Sequence, residues 1–210
     1  MTQLLKRNRY IIGGKKMKRI LFILILAGLF IGISADPVPT FQKEGHVFDD
    51  LKDEYKLVSY FLSPNQRKYY KKLDKEYKWG YISAFWEAQD PNPATESNEF
   101  LLEVITRIRY CNDRYSHFNK GWKTDIGRVY IKHGRPFEIL KLNTGTGTKF
   151  AQKEYQIWKY RVTSYKTYIF IDIHQSRDYR LIFSDGDDAE GSWADWLNYL
   201  GTDFDEGLLQ

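Results

Sequence analysis

Apolar residues recur every three or four positions through the first half of the chain, the spacing of helices that bury one face. The first such set is Leu51, Tyr55, Val58 and Leu62. The SPNQ run at 63–66 then starts a second helix, because its serine can cap the helix, its proline suits the first turn and its glutamine can reach back to the cap. A third helix follows Asp74 and ends at the DPNP run of 90–93, where each proline disfavours helix in the preceding residue.

The longest predicted helix begins at Thr95 and carries one continuous apolar stripe. The stripe comprises Phe100, Val104, Ile108, Cys111, Tyr115 and Phe118. Cys111 is the single cysteine of the chain, so no disulfide forms within it. Its place on the stripe predicts a buried thiol rather than a nucleophile, since no basic neighbour lowers its pKa.

After residue 127 the apolar period changes from helical spacing to alternation, which predicts strands. The predicted strands are Arg128–His133, Phe137–Lys141, Glu154–Tyr160, Thr167–Ile173 and Tyr179–Phe183. Short connections between them, including the NTGTGT loop, favour an antiparallel meander, and GSWADWLNYL predicts a final short helix. The predicted fold is α+β, with N-terminal helices packed on a C-terminal antiparallel sheet of about four to five strands and a short C-terminal helix.

The first 35 residues resemble an export signal. A basic stretch ending in KKMKR precedes the apolar run of residues 20–33, and small residues follow it. We expect cleavage after Ala35, with an uncleaved signal anchor as the alternative and Met17 as a second candidate start. The predicted organisation is a signal peptide at 1–35, a flexible lead-in at 36–47 and one α+β domain at 48–205. The expected location is periplasmic or extracellular.

The formal charge of +5 is concentrated in that leader. Residues 1–35 hold seven Lys or Arg and no acidic residue, which leaves 25 basic against 27 acidic side chains and a net charge of −2. A nearly neutral body argues against a nucleic-acid partner, and membrane contact is expected only through an uncleaved leader. No cofactor or metal is predicted, because the four histidines lack partners at ligand spacing and NTGTGTK lacks the full phosphate-loop pattern.

Three separated blocks resemble one family of exported bacterial proteins. They are FWEAQDPNPATESNEF at 85–100, GWKTDIGRVYIKHGRP at 121–136 and YQIWKY at 155–160. In this order they resemble the GWxTD domain family, and the resemblance implies an α+β envelope or periplasmic domain without implying an activity. The positions that depart from the family pattern are Gln89, Ile126, His133 and Phe137.

The GWKTDIGR run admits a structural interpretation, as the joint between helices and sheet. Asp125 would accept the backbone N–H of Gly127, which would take a positive φ, and Thr124 would support that turn. Trp122 would bury its ring under the end of the long helix. Arg128 would bind a carboxylate, with Asp90 or Glu99 as the expected partner.

The alternative is a binding site formed by Trp122, Thr124, Asp125, Arg128 and Tyr130. On a strand, Arg128 would share one face with Tyr130 and Lys132. The same split recurs between 167 and 174, where isoleucines alternate with Tyr168, Phe170, Asp172 and His174. That aromatic and polar sheet face would either hold sugars or peptides, or be covered by the final helix through Trp193 and Trp196.

Three function classes follow from these residues. The favoured one is a non-catalytic binding or assembly module for an envelope protein or glycan. The second is a hydrolase of envelope glycans or peptides that uses a carboxylate pair drawn from Asp90, Glu99 and Asp125. The third is a purely structural envelope domain.

Overall fold

A computed structural model describes residues 45–161, 163–187 and 189–210. The predicted signal peptide and most of the predicted lead-in therefore lie outside the described residues. The lead-in prediction is wrong at its C-terminal end, because His46 and Val47 are buried. The backbone N–H of Val47 donates to the fully buried carboxylate of Glu54 at 3.0 Å, so the first core contacts begin before the first helix.

Within the described residues, five helices precede the sheet. They are α1 (Leu51–Val58), α2 (Pro64–Lys72), α3 (Lys75–Ala88), α4 (Glu99–Tyr115) and α5 (Asp125–His133), with a 3-10 turn at Gly121–Lys123. The predicted start of α2 is confirmed, since Ser63 and Gln66 form a reciprocal capping box. The predicted start of α4 at Thr95 is wrong because Asn98 caps the helix, and Phe118 lies beyond its end, mostly exposed.

The predicted strand at Arg128–His133 is wrong, because these residues form most of α5. Thr124 caps this helix by accepting the N–H of Gly127 at 3.0 Å. The helix is buried on two sides: Ile126 and Val129 pack toward the sheet, and Ile131 packs into the helical core. Within residues 128–133, Val129 and Ile131 alternate with Arg128, Tyr130 and Lys132, and this short alternation resembled a strand. The helical spacing is seen only when Ile126, three residues before Val129, is included.

The four strands are β1 (Glu138–Asn143), β2 (Glu154–Arg161), β3 (Tyr165–Ile171) and β4 (Arg180–Asp185). They form one antiparallel sheet in the order β1-β2-β3-β4, so the predicted meander and α+β fold class are confirmed. A short helix, α6 (Trp196–Leu200), and a 3-10 turn at Glu206–Leu209 complete the chain.

Both faces of the sheet are covered, so the alternative in which the aromatic face is open to sugars or peptides is wrong. The aromatic face carries Trp158, Tyr160, Tyr168 and Phe170, which are all buried against α5. The aliphatic face carries Ile157, Ile169, Ile171 and Ile182, and the C-terminal segment covers it through Trp193, Trp196 and Leu200. The final helix thus covers the face opposite to the one predicted.

Two glycines let α5 approach α4 closely. A Cβ atom at Gly121 would lie 1.8 Å from the carbonyl oxygen of Cys111, and one at Gly127 would lie 2.0 Å from that of Gly121. Gly127 is helical, so its predicted positive φ is wrong. The position needs glycine because there is no room for a side chain. Cys111 is fully buried at this contact, and burial raises the pKa of its thiol to about 12, as a core thiol requires.

We expect Gly121→Ala to lower the free energy of unfolding by about 3 kcal/mol or more, because the added methyl group meets rigid backbone. Gly80→Ala is the matched control, since Gly80 lies inside α3 with no atom within 4 Å of its added Cβ. That control should gain about 1 kcal/mol from helix propensity. Urea unfolding of both variants measures the difference, and equal stabilities would contradict the close-packing argument.

Candidate functional site

Trp122 and Thr124 of the GWKTD run point into the protein. The Trp122 side chain is completely buried and stacks on Phe48, with ring centroids 4.7 Å apart. The hydroxyl of Tyr60 donates to the Trp122 carbonyl at 3.1 Å, and Thr124 caps α5. Neither side chain therefore offers a surface to a ligand.

Asp125 joins the start of α5 to the last strand. Its carboxylate accepts hydrogen bonds from Arg128 Nη1 at 2.7 Å, from the backbone N–H of Leu181 at 3.1 Å and from Arg180 Nε at 3.1 Å. The predicted bond from Gly127 to Asp125 is wrong, since Thr124 takes that donor. Burial opposes ionisation of Asp125, but Arg128 and the Leu181 N–H outweigh it and hold the pKa below its ordinary value.

Arg128 binds Glu190 in addition to Asp125. Its Nε lies 3.1 Å from Glu190 Oε2, and its Nη2 lies 3.0 Å from the same oxygen. The predicted partners, Asp90 and Glu99, are therefore wrong. A guanidinium that engages two carboxylates in this way is fixed in position, and it uses most of its donors inside the protein.

One turn further along α5, Lys132 and His133 meet Asp187 in the loop after β4. Lys132 Nζ lies 2.7 Å from Asp187 Oδ2 and 3.2 Å from Glu190 Oε1. The Tyr168 hydroxyl donates to Asp187 Oδ2 at 2.6 Å and lies 2.9 Å from His133 Nε2. We call the whole set the α5 charge network; its members are Asp125, Arg128, Lys132, His133, Tyr168, Asp187 and Glu190.

Asp187 is the most strongly perturbed carboxyl group of this network. Burial alone would raise its pKa, but hydrogen bonds from His133, Lys132 and Tyr168 outweigh burial and hold the pKa well below its usual range. The Tyr168 hydroxyl is buried beside that carboxylate, and both effects raise its pKa. The charged groups of the network therefore pair with one another, and the lowered pKa of Asp187 does not suit a group that takes up a proton near neutral pH.

Tyr130 lies on another side of α5 and belongs to an aromatic group, which we call the tyrosine shelf: Tyr110, Tyr115 and Tyr130. Tyr110 and Tyr130 stack with ring centroids 4.5 Å apart and an interplanar angle of 15°. Tyr115 meets both rings edge-on, and Trp158 of β2 lies beneath. Tyr110 is 41% exposed, so Tyr130 is the one predicted binding residue that borders an exposed aromatic surface.

The proposed carboxylate pair is not assembled with Asp125. Asp90 accepts the N–H of Asn92 in the loop after α3, and Glu99 is exposed at the start of α4. The Thr95 hydroxyl, with a smaller contribution from Asp90, lowers the pKa of Glu99. A general acid at neutral pH needs a raised pKa, and Asp125 and Glu99 show the opposite shift.

Sequence reasoning missed the acidic half of the network, Asp187 and Glu190. The signal available was the acidic run SDGDDAEG after the last strand, together with Arg128 and Lys132 one helical turn apart. Among the described residues, no group of three or more His, Cys, Asp or Glu side chains is placed to hold a metal ion. The cations of the network are supplied by α5 itself.

A comparison with protein families matches the GWxTD domain to residues 41–183 of this chain. The match includes α1 to α5, the four strands as far as Phe183 and all of the GWKTD run. No curated protein and no solved structure matches the chain.

We expect Asp125→Asn and Arg128→Gln each to lower the free energy of unfolding by about 3 kcal/mol, because each leaves a partly buried charge without its partner. For a domain of this size the thermal midpoint should fall by about 10 °C. Arg180→Gln is the control: Arg180 contacts the same carboxylate but its side chain is 53% exposed, so its loss should cost less than about 1 kcal/mol. If the thermal midpoints of Asp125→Asn and Arg128→Gln were no lower than that of Arg180→Gln, the corner would not be a structural joint.

The network also predicts how stability depends on pH. Because the folded state lowers the pKa of Asp187, its contribution is fully present above the unfolded pKa near ~4 and is lost as pH falls toward the lower folded pKa. The free energy of unfolding should therefore fall below about pH 4, and Asp187→Asn should flatten that slope. Asp113→Asn, at an exposed site on α4, is the control and should keep the wild-type slope in urea titrations.

Proposed function

The chain belongs to the GWxTD domain family, and we propose that it is an exported, non-catalytic binding or assembly module of the bacterial envelope. Export is supported by the basic and apolar leader at residues 1–35, and the location we propose is the periplasm or the exterior of the cell. In the described part of the chain, no helix is long and apolar enough to cross a bilayer. The partner we propose is an envelope protein, with a glycan as the second candidate.

The chemistry of the GWKTD corner supports a binding module over a hydrolase. Its aspartate and arginine are saturated by Glu190, Leu181 and each other. The remaining candidate carboxylates lie elsewhere: Asp90 is in the loop after α3, and Glu99 is the first residue of α4. These contacts favour a structural role for the corner and a partner that binds elsewhere on the surface.

The observation that carries the proposal is the contrast between the two edges of the sheet. The β4 edge is closed: Asp125 accepts the N–H of Leu181, Trp193 donates its N–H to the Ile182 carbonyl at 2.8 Å, and the Ser192 hydroxyl bonds both backbone groups of Ser184. These contacts occupy the hydrogen-bonding groups that a strand from another chain would need.

The β1 edge is open among the described residues. The N–H of Thr144, next to the end of β1, donates to the Lys153 carbonyl at 2.9 Å, so the backbone groups of Thr144 face β2. Residues along an antiparallel strand alternate, and therefore Ile139, Lys141 and Asn143 turn their backbone N–H and C=O groups away from the sheet. An extended segment of another protein can add to such an edge as a further strand.

Apolar side chains beside this edge suit a bound peptide. Ile139 is 42% exposed on the same face as Trp158, and the tyrosine shelf packs over Trp158. Phe137 is 48% exposed, and the Arg161 guanidinium lies 4.3 Å from its ring centroid. Alternate side chains of an added strand would meet these groups, while its backbone would bond to β1.

The test places a photoreactive amino acid at position 139 of the full chain and measures cross-linked products in cells. We expect a discrete adduct that Lys141→Pro abolishes, because proline removes the outward N–H while leaving the bonds from β1 to β2 in place. Lys141→Ala is the matched control and should retain the adduct. An adduct that survives the proline variant would contradict strand addition.

The hydrolase alternative has its own measurement. Turnover of envelope glycans or peptides by the full chain, lost in Glu99→Gln, would overturn the non-catalytic proposal. Glu99 is exposed, so that variant removes a carboxylate without disturbing the core.

A further inference from the structure

One pair of helices in the described domain carries a local excess of positive charge. Residues 67–78, from α2 into α3, hold six Lys or Arg against the two acids Asp74 and Glu76. Residues 45–210 as a whole hold 24 basic and 25 acidic side chains, so this segment stands out from a neutral body. We call its surface the α2–α3 face; its members are Arg67, Lys68, Tyr69, Lys71, Lys72, Lys75, Tyr77 and Lys78.

Helix α2 is attached to the domain by very little buried surface. Tyr70 is its one buried residue, stacked on Tyr55 of α1 with ring centroids 3.8 Å apart. Lys78 of α3 places its ammonium 5.4 Å from the Tyr70 ring. The remaining side chains of α2 face outward, so a solvent-facing helix displays four of the six cations.

Two tyrosines stand on the same surface with their rings in solvent. Tyr69 and Tyr77 are each 58% exposed. Tyr69 lies 5.9 Å from Tyr81, which is one helical turn from Tyr77, so the three rings follow one side of the helix pair. Exposed aromatic rings among lysines are typical of surfaces that lie at a membrane–water interface.

Among the described residues, no acidic side chain forms a salt bridge with the cations of the α2–α3 face. Arg128 and Lys132 of α5 are held by carboxylates, and so is Arg107 of α4. None of the six cations between 67 and 78 forms a salt bridge with a described residue. Their charge is therefore available to an anionic surface.

His46, near the start of the described chain, packs against α3. The His46 ring lies 4.5 Å from the Trp79 ring, and His46 Nε2 lies 3.2 Å from the Ser83 hydroxyl. Eleven residues separate the apolar run, which ends at Ile33, from Gly45. An extended chain of that length spans at most about 40 Å, so a leader inserted in a membrane keeps α3 near the bilayer surface.

We infer that the α2–α3 face docks on the anionic phospholipid headgroups of the membrane from which the leader emerges. The lysines meet the headgroup charge and the tyrosine rings enter the interfacial layer. The inference rests on the export proposed above and on the alternative in which the leader stays uncleaved as a membrane anchor. A lipid surface fits better than an acidic protein because the face is exposed and helical, and because the chain enters the domain beside it.

The test reconstitutes the full chain, leader included, in nanodiscs of phosphatidylcholine with or without phosphatidylglycerol. Amide hydrogen exchange of residues 65–80 reports whether the face is covered. We expect exchange to be slower by about tenfold or more on the anionic bilayer, and high salt should remove the difference. Because the leader is present in both nanodiscs, the difference isolates the face from the tether.

The triple variant Lys68→Glu, Lys71→Glu and Lys72→Glu should abolish the protection. Its matched control, Lys141→Glu, Lys149→Glu and Lys153→Glu, changes the net charge equally at exposed or half-buried positions near the other end of the fold and should keep it. Equal protection on both bilayers, or equal loss in both triple variants, would overturn the inference. So would protection by soluble polyglutamate in the absence of anionic lipid, which would identify an acidic polymer as the occupant.

This measurement separates the two proposals. Fractionation of cells tests export, whereas the nanodisc experiment needs no export. A chain found outside the cytoplasm but unprotected on anionic nanodiscs would refute only the docking inference.

Discussion

The close approach of Gly121 to the Cys111 carbonyl is the contact on which the rest of the architecture depends. Only a residue without a side chain fits there. The same holds at Gly127, where a Cβ atom would meet the Gly121 carbonyl. These two contacts seat α5 against α4 at backbone distance. The helix then lies between the helical core and the sheet, contributing Ile131 to one and Val129 to the other.

The α5 charge network follows from that position. With α5 lying against the aromatic face of the sheet, Asp125 reaches the backbone of β4, and Arg128 and Lys132 reach the loop beyond it. Partly buried charges of this kind are costly unless all are paired, which is why the network holds both signs in contact. Its functional consequence is indirect: it closes the β4 edge and leaves β1 as the edge with unused hydrogen-bonding groups.

The two proposals use different parts of this arrangement and are compatible. The α2–α3 face belongs to the helix pair whose second member, α3, is contacted by His46 near the start of the described residues, and the β1 edge belongs to the sheet. A domain held on the membrane through its helices would present its open sheet edge to partners in the surrounding compartment. The α5 charge network stabilises the domain, and we propose that the cations of the α2–α3 face bind lipid headgroups.

Much of the fold was predictable because its signals are local. The capping box at Ser63 needs only four neighbouring residues, and the stripe of α4 needs one regular period. The α+β class, the meander, the buried Cys111 and the family followed from the same kind of short-range pattern. In the candidate site, the buried Trp122 and the capping role of Thr124 were close to what the sequence indicated.

Only the tertiary structure decided the remainder. Residues 128–133 of α5 resembled a strand because Val129 and Ile131 alternate with other residues, and local spacing does not show that Ile131 packs into the helical core while Val129 packs toward the sheet. Arg128 and Glu190 are 62 positions apart, so no local spacing connects them. The sequence by itself determined the elements whose signals lie within a few turns. The partners of the α5 charges, the segments that cover the two sheet faces and the open edge of the sheet arise from contacts between distant segments, which exist only once the layers have packed.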